Sequence, residues 1–212
     1  MSIRAEPRHR VQERERGGGA AGNERLTAMT GAILLVLLAA EGVTILFRQQ
    51  LLTAHFFIGM LLVGPVLLKM GSTGYRFVRY YTGSGPYLRK GPPALLLRLL
   101  GPVVIATSVV VIGSGIALAL TGPGPGASLW LVLHKASFIL WFGAMSVHVL
   151  WYAPQLPRLL RGPGRDRVRA TLAGAGRRWL LLTAALAAGL VTALATYHMA
   201  GQWTGFLGHG GG

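Results

Sequence analysis

Five apolar runs, each long enough to cross a bilayer, constrain this chain more than any other feature of it. They extend from about Leu26 to Phe47, Leu51 to Met70, Leu95 to Leu120, Leu129 to Tyr152 and Trp179 to His198. A hydrocarbon core about 30 Å thick accepts a helix of about 20 apolar residues, and in lipid a helix satisfies its backbone polar groups within its own segment. The fold class is therefore all-α, a transmembrane helical bundle. Four helices over about 26–155 form its core and a fifth crosses at about 179–200.

Charge supports a lipid-covered surface. Only 13% of the 212 residues are charged, about half of what a soluble domain uses to cover itself. The few charges are basic, 21 Lys and Arg against 6 Asp and Glu. They lie between apolar runs rather than beside base-reading or stacking elements, which points away from nucleic acid and toward topology signals and anionic lipid headgroups. The chain has no cysteine. That excludes disulfides, thiolate-held zinc, Cys-ligated iron–sulfur clusters and covalent c-type haem.

The connections order the spans. Residues 1–25 are rich in Arg, Glu and Gly and read as a disordered basic cytoplasmic tail. No small-residue cleavage pattern follows the first run, so it is kept as a helix rather than a secretory signal. Arg48, Gln49 and Gln50 leave room for a tight helical hairpin, and Gly122 to Gly126 form a loop. Arg76, Arg79, Arg89 and Lys90 follow the second run. A basic loop at 156–178, with Arg158, Arg161, Arg165, Arg167, Arg169, Arg177 and Arg178, follows the fourth. By the positive-inside rule both loops are cytoplasmic, the N-terminus is inside, and the Gly-rich tail at 201–212 is external. The aromatic and basic stretch from Tyr75 to Pro93 reads as an interfacial anchor, or as a docking surface for propionates or an acidic partner.

Three histidines, His55, His134 and His148, interrupt the apolar runs, where an ionisable side chain is expensive and usually functional. His134 and His148 are fourteen residues apart, which at roughly 100° per residue returns to nearly the same helix face about 21 Å further on. The second and fourth helices run in the same direction, so His55 and His134 share one depth near the outer side. Lys69, fourteen residues past His55, shares the depth of His148. A planar macrocycle between the helices takes one axial imidazole from each.

In these residues the chain resembles the cytochrome b family of quinol-oxidising complexes and the cytochrome b subunits of bacterial hydrogenases and formate dehydrogenases. The resemblance covers about residues 30–155. In that family two helices each carry a pair of histidines fourteen positions apart, ligating two stacked haems. His134 and His148 match one pair, and His55 matches half of the other; Lys69 is the departure. The resemblance implies a four-helix haem-binding core, haem b at one site with a second left open, and a bacterial plasma membrane. It also implies exchange of electrons with a quinone and a redox partner subunit, as part of an oxidoreductase complex rather than a complete enzyme.

Other residues carry two readings each. Gly59, Gly101, Gly115 and Gly143 either clear space for a porphyrin edge or let helices pack closely. Lys69 is a snorkelling anchor or an amine ligand. Glu41, the one carboxylate inside an apolar run, is expected to pair with Arg48 or with the outward ring nitrogen of His55. Met60, Met70, Met145 and Met199 read as packing before axial ligands, and His198 and His209 as interfacial or solvated. Two other functions compete with electron transfer. One is a proton or ion relay through Glu41, His55, Lys69 and His148; the other is a membrane anchor that recruits a soluble partner through its basic loops.

Overall fold

The computed structural model describes residues 20–89, 91, 95–157 and 174–208. The elements are α1 (Ala20–Leu46), α2 (Arg48–Tyr81), α3 (Gly85–Leu88), α4 (Leu95–Thr121) and α5 (Ala127–Tyr152). A short 3-10 turn at Ala153–Gln155 follows, then α6 (Ala175–Thr196), a second turn at Tyr197–Met199, and α7 (Ala200–Gly208). The five long helices, with α6 and α7 counted as one continuous run, are each long and apolar enough to cross a membrane. The protein is an all-α, multi-pass membrane bundle.

Its side chains are sorted as lipid requires. Large apolar residues such as Val36, Leu120 and Leu150 are exposed on the outside, whereas Thr30, Thr44, Ser72, Ser108, Ser114 and Ser137 are buried. A soluble domain does the reverse. Between helices in lipid, small residues permit close approach and hydroxyls find carbonyl partners within the bundle. Thr30 Oγ1 donates to the Leu26 carbonyl at 2.8 Å and Ser114 Oγ to that of Val110 at 2.6 Å, so neither buries an unpaired group.

Two groups of helices assemble. In the first, α2 packs against both α1 and α6; in the second, α4 and α5 pack as a hairpin. The α2–α6 crossing is so close that a Cβ at Gly64 would collide with the Ala185 carbonyl, and one at Gly189 with the Leu61 carbonyl. Pro65 has no N–H to offer the Leu61 carbonyl four residues back. That freed carbonyl is the one on which Gly189 packs.

The two groups meet at the end that carries α7. There Met60, Ala119 and Ala193 form a buried cluster with Phe56, Phe57, Leu61, Ile116 and Met199. Trp203 Nε1 of α7 donates to the Leu118 carbonyl of α4 at 3.2 Å.

Several boundaries differ from the sequence reading, each for a local reason. The first helix begins at Ala20, inside the segment read as a tail. Asn23 Nδ2 donates to the Ser72 carbonyl at 2.9 Å, and the Thr27 and Ser72 hydroxyls lie 2.9 Å apart, so α2 holds this extra turn. The second helix runs on through Arg76 and Arg79 to Tyr81. It stops where Gly83 takes a φ of 79°, with Gly83 N–H donating to Tyr80 and Ser84 N–H to Arg79, the glycine-dependent Schellman ending. Residues 200–208 are helical rather than a loose tail because Trp203 docks them. Residues 1–19, Lys90, the arginines at 158, 161, 165, 167 and 169, and His209 lie outside the described residues.

Gly64→Leu or Gly189→Leu should destabilise the purified protein by about 1–3 kcal/mol or prevent its accumulation. Gly74→Ala, where a Cβ would meet nothing within 4 Å, should unfold within a degree or two of the parent. Thermal unfolding in detergent checks both.

Candidate functional site

A cavity of about 580 Å³ lies between the two helix groups, lined by α1 and α2 on one side and α4 and α5 on the other. His55 and His134 line it toward the α7 end, and Lys69 and His148 toward the opposite end. Gly31, Gly59, Gly101 and Gly115 line it as well, so each of α1, α2 and α4 offers bare backbone to the space. Gly143 does not.

His55 and His134 come together across this cavity. Their ring centroids are 6.3 Å apart and their planes stand at 84°. Each ring is held through Nδ1. His55 Nδ1 lies 2.9 Å from Glu41 Oε1 and 3.0 Å from Thr44 Oγ1. His134 Nδ1 lies 2.9 Å from the Val111 carbonyl and 3.2 Å from Ser114 Oγ. A carboxylate and a carbonyl only accept, so Nδ1 carries the proton in both rings. In a neutral imidazole so held, Nε2 keeps its lone pair. Among the described residues neither Nε2 has a hydrogen-bond partner.

Those contacts answer the question left open for Glu41. Its partner is His55, and among the described residues it forms no ion pair with Arg48. The geometry also explains one glycine. A Cβ at Gly115 would stand 3.2 Å from His134 Cε1, whereas one at Gly59 would stand 3.5 Å from Glu41 Oε1, an ordinary contact. The bare backbone of α4 thus lets the His134 ring lie close against it.

The Lys69 end is built differently. Lys69 Nζ donates to the Thr27 carbonyl at 2.7 Å, in a space that Gly31 leaves open: a Cβ there would stand 2.9 Å from Nζ. The amine is therefore tied to α1. His148 packs its ring on Tyr152, centroids 4.9 Å apart, and the facing pair seen at the other end is not repeated. Met70 and Met145 line the cavity, Met60 belongs to the buried cluster, and Met199 packs against it.

Thr44, Ser114, the Val111 carbonyl and Gly31 were missed in the sequence. Thr44 stands three residues past Glu41 and Ser114 directly before Gly115, spacings that set each hydroxyl beside its histidine; the backbone carbonyl leaves no mark in a sequence. Among the described residues no group of three or more His, Cys, Asp or Glu is placed to hold a bare metal ion. Two opposed imidazoles instead suit a metal whose other ligands come from a macrocycle. No family model, curated protein or solved structure matches the chain.

Gly115→Val should push the His134 ring off the Val111 carbonyl, at a cost of about 1–3 kcal/mol. Histidine-edited NMR should then show a changed His134 resonance and an unchanged His148. Gly113→Val, where a Cβ meets nothing within 4 Å, should leave both in place.

Proposed function

We propose that this protein is a membrane-bound b-type cytochrome that passes single electrons between the quinone pool and a redox partner subunit. One observation carries the reading: two imidazoles from different helix groups face each other across a cavity, both with Nδ1 engaged and Nε2 free. With metal–nitrogen bonds of about 2 Å and about 1 Å from ring centroid to nitrogen, two imidazoles on opposite sides of one metal put their centroids about 6 Å apart. The observed separation is 6.3 Å. An acceptor on the second ring nitrogen is the usual support of a metal-binding histidine, because it sets the tautomer and the ring orientation.

The fit to haem b follows from the donor set. A bare zinc-like ion takes three or four protein donors, whereas iron in a porphyrin needs only one or two. His55 and His134 would hold the haem, Gly59 and Gly115 would leave the helix surfaces open beside it, and the largely apolar walls would limit water. When bound, haem supplies a one-electron couple, and the protein sets its potential through ligation, hydrogen bonding and burial. The Lys69 amine is committed to the Thr27 carbonyl, which favours one haem over two. Lys69 serves as a tether to α1.

The purified protein should be red, with the reduced-minus-oxidised spectrum of a bis-imidazole b haem. His55→Ala and His134→Ala should each remove that absorbance by more than about tenfold, and His148→Ala and Lys69→Met should spare it. Colourless, folded protein from haem-replete cells would overturn the reading.

In the proposed orientation, in a bacterial plasma membrane, the N-terminus and the Arg76–Arg79 end of α2 face the cytoplasm and α7 faces outward. The basic connections then meet anionic headgroups. Because the chain has no cysteine, single replacements report sidedness cleanly. Gly210→Cys should react with an impermeant maleimide in intact cells and Ser2→Cys only after lysis; the reverse pattern would invert the assignment.

A further inference from the structure

We infer that Glu41 is a positioning residue that, through His55, holds the midpoint potential of the bound haem low. This rests on the haem reading above. The two ligand rings are supported unequally: His134 Nδ1 meets the neutral Val111 carbonyl at 2.9 Å, whereas His55 Nδ1 meets a carboxylate at the same distance.

The carboxylate is a built part of the site. The Glu41 side chain is 13% exposed and that of His55 24%, in a segment where a carboxylate needs a specific reason to be present. Thr44 braces the pair, its hydroxyl 3.0 Å from His55 Nδ1 and 3.4 Å from Glu41 Oε2. Across the α1–α2 hairpin, Gly59, one turn past His55, is the α2 backbone nearest Oε1, where a Cβ would make an ordinary contact with it. Among the described residues no Lys or Arg pairs with Glu41, so its charge acts on the imidazole rather than on a neighbouring cation.

An imidazole whose N–H is bonded to a carboxylate is a stronger electron donor than one bonded to a neutral acceptor. Stronger donation favours the ferric state, which carries one more positive charge than the ferrous state. A fixed negative charge in a water-poor interior acts in the same direction, and more strongly than it would in water. Both effects lower the potential, the first through His55 and the second through space.

Potentiometric titration of the purified holoprotein tests this against Glu41→Gln. The midpoint should rise by about 59 mV or more, a tenfold change in a one-electron equilibrium, with the bis-imidazole spectrum retained. Glu41→Asp keeps the charge but draws it back from Nδ1; it should move the midpoint the same way by less, and serves if the Gln variant does not accumulate. A haem-loaded variant at the parental potential overturns the inference and leaves the haem reading standing. Loss of haem from both folded variants also overturns it, since Glu41 would then be required for ligation rather than for tuning. Parent protein without haem overturns the haem reading itself, and this inference with it.

Discussion

An imidazole placed among apolar helices has to satisfy two ring nitrogens where no water is at hand, and the pairing of His55 with His134 depends on how that is done. One nitrogen of each is settled locally, by the Glu41 carboxylate and by the Val111 carbonyl. The other has no hydrogen-bond partner among the described residues, and both rings line the cavity between the two helix groups. The proposed haem, held by both rings, would bridge α2 to α5, which otherwise have little contact.

The architecture serves this gap. Close packing falls within each group: at the α1–α2 hairpin, at the α2–α6 crossing, where Gly64 and Gly189 bring backbones together, and at the α4–α5 hairpin, where Trp141 Nε1 donates to Ser108 Oγ at 2.9 Å. Between the groups, large apolar side chains such as Phe56, Phe138 and Trp141 line the walls, and Gly31, Gly59, Gly101 and Gly115 leave gaps among them. The α7 end closes it through the Met60 cluster and Trp203. At the other end Lys69 joins α2 to α1 rather than to α5, so the cavity continues past it.

Much of this was legible in the sequence because lipid imposes strict length and charge rules. All five spans were read from long apolar runs, and the depth argument that paired His55 with His134 needed only helix direction and rise. Boundaries were less legible. Trp203 in a Gly-rich stretch gave no sign that it would dock 200–208 as a helix, and Arg76 and Arg79 looked like a loop because charge was taken to end the helix as well as the span. The supports of the two rings were half visible: Glu41 stands out in an apolar run, whereas the Val111 carbonyl has no sequence signature. Glycine was ambiguous throughout. Gly115 lies against a histidine and Gly64 against a backbone, and the same letter at a similar spacing denotes both.

The perpendicular setting of the two rings, 84° between planes, gives the central claim a sharp spectroscopic consequence. Axial imidazole planes at right angles leave the ferric iron orbitals nearly degenerate, so low-temperature electron paramagnetic resonance of the oxidised protein should show one low-spin signal of large g anisotropy. A high-spin signal alone, as from iron held by a single imidazole, or the absence of any ferric haem signal, would contradict the account.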